Sequence, residues 1–189
     1  MGTGGHALPA ADLATLVGRA VSRDPDAWEA LYRRCYRKLF SFARRRLADD
    51  QAAEDAVSET MTRALHAIDR FTWQGGGFDA WLYGIARNVV RESTRARWRT
   101  TSVAGACDRA STERGPEERA IAGDDDAAMR LAFGQLGDDD RELLELRVHA
   151  GLSADEVGRL LGKRPGAVRM AQARALQRLR ANLETVRGG

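Results

Sequence analysis

The chain is 189 residues long and carries 30 basic and 27 acidic side chains, a net charge of +3. This length fits two small helical domains, and the low aromatic content (6%) with no alternating runs of Val, Ile and Thr argues against a strand-rich fold. No stretch approaches the ~20 apolar residues of a membrane span, and the first ten residues do not resemble a signal peptide. We therefore expect an all-α, soluble, cytoplasmic protein that does not contact a membrane.

Four helices are predicted in the N-terminal half. Pro25 cannot continue the first of them, and Asp24 is a candidate N-cap that places Pro25 at the first position of the second. Asp49 or Asp50 is expected to cap the third. A loop at 71–77, with three consecutive glycines, precedes the fourth. The apolar residues expected to be buried recur at helical spacing: Leu13, Leu16, Val17, Val21, Trp28, Leu31, Tyr32, Cys35, Leu39, Phe42, Leu47, Val57, Met61, Leu65, Ile68, Phe78, Trp81, Leu82, Ile85 and Val89.

These patterns predict two small helical domains joined by a flexible linker. Residues 1–10 are expected to form a disordered tail, and 11–99 the first domain. Apolar periodicity disappears over 100–124, where Ser, Thr, Gly, Pro and charged residues are typical of a flexible linker. The second domain is expected at 125–189.

The second domain is predicted to begin with a helix that ends at Gly137, in a left-handed conformation. Asp138 is expected to cap the next helix, and Ser153 to Glu156 form a capping-box sequence that starts another. The residues expected to face inward are Ala128, Met129, Ala132, Phe133, Leu136, Leu143 and Leu146.

The spacing from Ser153 to Leu183 predicts a helix-turn-helix. Gly158 is small where the helices approach, Gly162 occupies the turn, and Pro165 fits the first turn of the second helix. The predicted buried side of the whole motif is Val157 and Leu161 on the first helix and Val168, Ala175, Leu176, Leu179 and Leu183 on the second. The predicted exposed side of the turn and the second helix is Lys163, Arg164, Arg169, Met170, Ala173, Arg174, Gln177 and Arg178.

This exposed side is a candidate DNA-binding surface. The segment from Lys163 to Gly189 has seven basic residues against Glu184 alone, which favours a polyanionic partner. A recognition helix places its early side chains at base edges and its flanking cations on phosphates. Arg169 and Arg174 are therefore the strongest candidates for base contacts, whereas Arg178 could equally be a solvated surface residue.

A second candidate surface for nucleic acid lies in the first domain, where a cationic row stands beside the glycine-containing loop. Glycines allow close approach of a ligand to the backbone, and aromatic or amide groups can stack on or hydrogen-bond an extruded base. This combination favours single-stranded DNA. The candidate residues are Phe71, Trp73, Gln74, Arg87, Asn88, Arg91 and Arg95.

No cofactor, metal site or catalytic group is predicted. Cys35 and Cys107 lie far apart and form neither a disulfide framework nor a zinc motif. His6, His66 and His149 lack metal-ligand spacing, and no phosphate-binding glycine motif occurs.

Two stretches resemble a known family. Residues 53–65 (AEDAVSETMTRAL) and 78–88 (FDAWLYGIARN) resemble the promoter-melting domain of extracytoplasmic-function sigma factors of bacterial RNA polymerase. Residues 152–162 (LSADEVGRLLG), with 166–169 and 173–176, are similar to the family's second DNA-binding domain.

The resemblance implies roles for the candidate surfaces. An exposed row on the third helix would dock on the clamp helices of the largest polymerase subunit, and the second domain would meet the flap region. The loop and Asn88 would capture a flipped base of the −10 element, and the recognition helix would contact the −35 element. Promoter DNA and core polymerase are the implied partners, and an inhibitory anti-sigma protein is common in the family. The docking row consists of Asp55, Ser58, Glu59 and Thr62.

Two other classes of function remain open from the residues alone. A ligand-responsive helix-turn-helix regulator would require an effector pocket and a dimer interface, whereas this sequence offers an acidic row and a second basic surface. An enzyme would require a catalytic constellation, which we do not find in the sequence.

Overall fold

The computed structural model describes residues 10–47, 49–73, 77–104 and 124–188, and all of its regular secondary structure is helical. This confirms the predicted all-α class. We number the α-helices in chain order; a short 3₁₀ turn, Ile68–Arg70, follows α3, and a π-helical turn, Glu145–His149, follows α6. The α-helices are α1 Ala10–Val21, α2 Pro25–Arg44, α3 Asp50–Ala67, α4 Gly77–Ala104, α5 Asp124–Gly134, α6 Asp138–Leu144, α7 Ala154–Leu161 and α8 Pro165–Gly188.

The helix starts in the first domain follow local capping signals. The Asp24 carboxylate accepts hydrogen bonds from the backbone N–H groups of Asp26 (3.0 Å) and Ala27 (3.2 Å), and Pro25 opens α2 as predicted. The Asp49 carboxylate accepts one from the N–H of Ala52 at 2.7 Å, so Asp49 is the cap of α3. These side chains bind amide donors that the first helical turn leaves without a partner.

One apolar core unites the four N-terminal helices. Every residue predicted to face inward there is buried or half-buried except Val21, the last residue of α1, which is 36% exposed. The rings of Phe42 on α2 and Tyr83 on α4 meet edge to face, with centroids 5.4 Å apart. Residues with less than 2% exposure anchor this core: Val17, Leu31, Leu39, Val57, Ile68 and Phe78.

Four expectations for the second half were wrong. Gly137 is not left-handed: its φ is −64° and ψ 155°, and it forms the extended N-cap of α6. Asp138 is therefore the first residue of α6 and not its cap. Met129 is 43% exposed, because the buried residues here are Ala132 of α5 and Leu136, which follows the end of that helix. Leu176 is 44% exposed because the buried side of α8 follows Val168 and Ala175, and Leu176 lies about 100° around the helix from Ala175.

The domain boundaries stay a prediction. Helix α4 continues through Ala104, beyond the residue 99 at which we expected the first domain to end, and α5 begins at Asp124. The predicted tail at 1–10 and the linker at 100–124 fall largely outside the described residues, as do Gln74 and Cys107.

The two halves of the chain pack directly against each other, which the sequence did not predict. One continuous apolar cluster contains Phe78, Leu82 and Val90 of the first half together with Leu143 and Leu146 of the second. Helix α7 lies against α4, and the π-helical turn lies against α2. A smaller separate cluster holds the C-terminal helices to each other: Leu136, Leu144 and Ala175, with Phe133 and Leu179 at its edge.

The capping box at Ser153 gives a direct test of the second domain's stability. The Ser153 hydroxyl accepts from the N–H of Glu156 (3.2 Å), whose carboxylate accepts from the N–H of Ser153 (2.6 Å). We expect Ser153→Ala to lower the free energy of unfolding by about 1 kcal/mol. Thr185→Ala, at an exposed site within α8, is the control and should change it by less than about 0.5 kcal/mol. Equal denaturation midpoints for the two variants in urea would contradict this assignment.

Candidate nucleic-acid interface

Helices α7 and α8 form a tight helix-turn-helix. Gly162 ends α7 in the left-handed region, with φ of 65°, and Pro165 opens α8. A Cβ on Gly158 would stand 2.6 Å from the carbonyl oxygen of Lys163, so only glycine allows the turn to come this close. Val157 and Val168 are fully buried between the helices. The predicted motif is therefore present, although Gly158 is required by the turn backbone rather than by the opposite helix.

The outer side of α8 is cationic and open. Arg169, Arg174 and Met170 are exposed, with Met170 at 65% exposure, while Val168 and Ala175 hold the opposite side in the core. Within the described residues, neither Arg169 nor Arg174 is seen in an ion pair with an acidic side chain. The remaining predicted residues of this surface are exposed as well: Lys163, Arg164, Ala173, Gln177 and Arg178.

Arg178 differs from the arginines earlier in α8. Its guanidinium forms an ion pair with Asp140 on α6. This contact ties α8 to α6, so Arg178 has a structural partner that Arg169 and Arg174 lack within the described part of the chain.

The loop before α4 presents an aromatic surface. The Phe71 ring lies 5.8 Å from that of Phe78 and 5.2 Å from that of Trp81, centroid to centroid, so it is anchored to the core. Trp73 meets Phe71 edge to face at 5.2 Å and remains 48% exposed. Thus Phe71 is a support, and Trp73 is the aromatic group available for stacking on a base.

The cationic row on α4 is partly occupied by the second half of the chain. The Arg87 Nε and Nη2 atoms donate to the two carboxylate oxygens of Glu142 at 2.8 and 3.3 Å, and Arg91 Nη2 donates to Glu142 at 3.4 Å. Asn88 and Arg95 are exposed. Sequence reasoning missed Glu142, because an acidic residue within a short helix ordinarily indicates a solvated position.

The predicted acidic row on α3 lies on one exposed face. Asp55 accepts from the Gln51 amide at 3.0 Å, and Glu59 accepts from Arg63 at 2.6 Å. Arg63 also binds Glu92 of α4 through two hydrogen bonds of 3.1 and 2.8 Å, which lowers the pKa of Glu92. The four members of the row are exposed: Asp55, Ser58, Glu59 and Thr62.

The described residues contain no cluster of three His, Cys, Asp or Glu side chains arranged to hold a metal ion. Within the same part of the chain, none of the helices has both the length and the apolar character needed to cross a membrane. Cys35 is buried in the core, and burial raises the pKa of its thiol to about 11, which leaves it protonated and unreactive at neutral pH.

Comparison with known protein families finds two matches in order along the chain. Residues 31–100 match Sigma-70 region 2, and residues 132–181 match Sigma-70 region 4. The first match contains the aromatic loop, the α4 row and the α3 row. The second contains α7 and the part of α8 up to residue 181.

Curated relatives match over most of the chain. The ECF RNA polymerase sigma factor ShbA of Streptomyces griseus is 37% identical over 182 residues, which cover 91% of this chain and 95% of that protein. The ECF RNA polymerase sigma factor BldN of Streptomyces coelicolor is 36% identical over 181 residues, covering 92% of this chain and 69% of that protein.

Two solved structures share the architecture. CnrH, in a complex with the cytosolic domain of CnrY, matches with a TM-score of 0.69 and 26% identity, covering 90% of this chain and 96% of that chain. The sigma factor RpoE of Bartonella quintana, in a complex with the anti-sigma factor NepR, matches with a TM-score of 0.66 and 26% identity, covering 77% and 89%. Both regions, their order and the near full-length match to ShbA show that this chain belongs to the extracytoplasmic-function sigma factors, which bind core RNA polymerase and direct initiation at promoters with −10 and −35 elements.

Proposed function

We propose that the outer side of α8 recognises the −35 element, with Arg169 and Arg174 at base edges. The observation that carries this proposal is the open cationic face of α8 in a helix-turn-helix whose other side is fixed in the core. Lys163 and Arg164 lie at the turn, where cations would contact phosphates. The uncharged residues of this surface complete the contact through shape and hydrogen bonding: Met170, Ala173 and Gln177.

For the −10 element we propose that Trp73 and the adjacent Gln74 receive an extruded base, with Asn88 as a hydrogen-bonding partner. Trp73 is supported from behind by Phe71, which packs on the core. Arg87, Arg91 and Arg95 follow one another along α4 at four-residue steps and would track the phosphates of the displaced strand.

We further propose that the two DNA-binding units correspond to domains at 11–99 and 125–189, and that the acidic row on α3 docks on the clamp helices of the largest polymerase subunit. The second domain would meet the flap region, and an anti-sigma protein would be an additional partner, as for the relative RpoE. Sigma factors are initiation factors rather than enzymes. This chain would therefore act without catalysis or a cofactor, in the cytoplasm where the polymerase works.

The core-docking proposal predicts a strong effect of charge reversal. Asp55→Lys combined with Glu59→Lys should weaken binding to core polymerase at least about tenfold, because like charges would then face a basic partner surface. Asp12→Lys with Glu29→Lys, at exposed positions on α1 and α2, introduces the same charge change as a control. Competition against a labelled sigma factor for core polymerase measures this effect. If both double variants compete equally well, the row on α3 is not part of the interface with core polymerase.

Run-off transcription tests the function as a whole. The purified chain, added to core polymerase, should initiate at a restricted set of promoters on genomic templates, and sequencing the RNA 5′ ends would define both elements. Absence of core binding together with absence of initiation on every template would contradict the proposal.

A further inference from the structure

Two ion pairs flank the aromatic loop, one on each side of it. Asp69, in the 3₁₀ turn that leads into the loop, pairs with Arg23 at the turn between α1 and α2. Asp79, in the first turn of α4 just after the loop, binds Arg34 of α2. Neither arginine has a role in the DNA or polymerase contacts described above. Both segments that carry the loop are nevertheless tied to α2 or to the turn that precedes it.

The two ion pairs differ in geometry and burial. Nη1 and Nη2 of Arg34 donate to the two carboxylate oxygens of Asp79 at 2.6 and 3.0 Å, and the two side chains are 18% and 30% exposed. The side chains of Arg23 and Asp69, joined through Nη2 of the arginine, are 58% and 50% exposed. A planar contact with two hydrogen bonds fixes orientation as well as distance, whereas solvent and salt screen an exposed pair. The pair of Arg34 and Asp79 is therefore the one expected to hold the backbone in place.

A series of ring contacts connects this ion pair with the exposed aromatic group of the loop. Phe78, the residue before Asp79, is fully buried, and its ring lies 5.8 Å from that of Phe71, centroid to centroid. The Phe71 ring in turn meets Trp73 at 5.2 Å. The position of the first turn of α4 therefore determines where Phe78 lies, and through the Phe71 ring it determines how Trp73 is presented.

A local role of Asp79 does not account for Arg34. An acidic side chain in the first turn of α4 is favoured by the positive end of the helix dipole, and this effect needs no partner. Arg34 lies 45 positions earlier in the chain and is half-buried, yet both of its terminal nitrogens are aligned with the carboxylate. Such alignment specifies how α2 and the start of α4 are oriented relative to each other.

We propose that Arg34 is a positioning residue for recognition of the −10 element. Its contact with Asp79 fixes the start of α4, and thereby the orientation in which Trp73 meets the extruded base. The inference rests on the proposed role of Trp73. Because stacking on one base depends on orientation, loss of this contact is expected to reduce discrimination among bases more than overall affinity for the strand.

Arg34→Lys tests this role, because lysine keeps the positive charge but cannot form the planar contact with two hydrogen bonds. Arg33→Lys is the matched control: Arg33 is the exposed neighbour on α2, and its partner Glu29 lies on the same helix. Each variant, bound to core polymerase, is titrated with a fluorescein-labelled single strand that carries the −10 sequence of a promoter mapped from RNA 5′ ends. The same strand with each −10 base changed in turn gives the discrimination ratio, which is the affinity for the original strand divided by that for the changed strand.

Arg34→Lys should lower the discrimination ratio at one −10 position at least about fivefold, and Arg33→Lys should stay within about twofold of wild type. Asp79→Asn removes the other half of the contact and should give the same loss as Arg34→Lys. Far-ultraviolet circular dichroism at the assay temperature checks that each variant is folded. If Arg34→Lys does not fold, Asp79→Asn decides the outcome.

A double-mutant cycle distinguishes positioning from a general contribution to the fold. If Arg34 acts through Trp73, adding Arg34→Lys to Trp73→Ala should change the discrimination ratio by less than about twofold, because the group that it positions is already absent. If the two losses multiply instead, Arg34 does not act through Trp73 and the inference is overturned.

The failure of this inference can be distinguished from a failure of the proposed function. If Trp73→Ala leaves every discrimination ratio unchanged, Trp73 does not receive a base, and the inference built on it is also wrong. If Trp73→Ala lowers a ratio while Arg34→Lys and Asp79→Asn keep the wild-type value, the positioning role alone is overturned.

Discussion

Arg174→Ala is expected to reduce discrimination between the cognate −35 element and a mutated one by roughly 1–3 kcal/mol, about 5- to 150-fold in relative affinity. Arg174 is exposed on the outer side of α8, and no ion pair with an acidic side chain is seen for it within the described residues. An arginine that donates two hydrogen bonds to a guanine selects that base, whereas an arginine on a phosphate contributes affinity without sequence choice. Titration of cognate and mutated duplexes at one salt concentration measures the difference.

Arg187→Ala, in the last turn of the same helix, is the control for this prediction. It removes the same charge, so any general electrostatic loss should be shared by the two variants. Arg187→Ala should bind the cognate and the mutated duplex more weakly by the same factor. Arg174→Ala should instead bind the two duplexes with more nearly equal affinity. If both variants lose affinity equally and discrimination persists, Arg174 contacts the backbone rather than a base.

Phe78→Ala is expected to lower the free energy of unfolding by about 3–5 kcal/mol, because it removes a large aromatic side chain from the core. Phe78 is fully buried at the start of α4, and its ring lies 5.8 Å from Phe71 and 5.6 Å from Trp81, centroid to centroid. Truncation would leave a cavity beneath the loop that presents Trp73. Chemical denaturation followed by far-ultraviolet circular dichroism measures the loss.

Trp73→Ala separates this stability effect from strand binding. Trp73 is 48% exposed, so its truncation should change the free energy of unfolding by less than about 1 kcal/mol. Base stacking on an aromatic ring is worth about 1–3 kcal/mol. The same variant should therefore bind a fluorescein-labelled single DNA strand that carries the −10 sequence roughly 5- to 150-fold more weakly. A large loss of stability in Trp73→Ala would show that the ring belongs to the core.

Much of the helical framework could be predicted because its signals are local. Asp24, Asp49 and Ser153 cap the helices that follow them, since a side-chain oxygen needs only a nearby backbone N–H to do so. Periodicity identified the apolar faces because any helix of this pattern must bury one side. The same method failed for Gly137 and Leu176, where neighbouring helices decide how the chain leaves α5 and how wide the buried side of α8 is.

The candidate surfaces also include parts that the sequence alone could predict and parts that it could not. The face of α8 with Arg169 and Arg174 and the row on α3 follow from spacing along one helix, so the amino-acid order alone was sufficient to propose them. The partner of Arg87 was not accessible from that order, because Glu142 is 55 positions away and lies near it only after the two helical groups dock. Helix formation and capping depend on neighbours three or four residues apart, whereas docking depends on which apolar and charged surfaces meet in space. Only the tertiary structure therefore decided which residues Glu142, Glu145 and Leu160 contact.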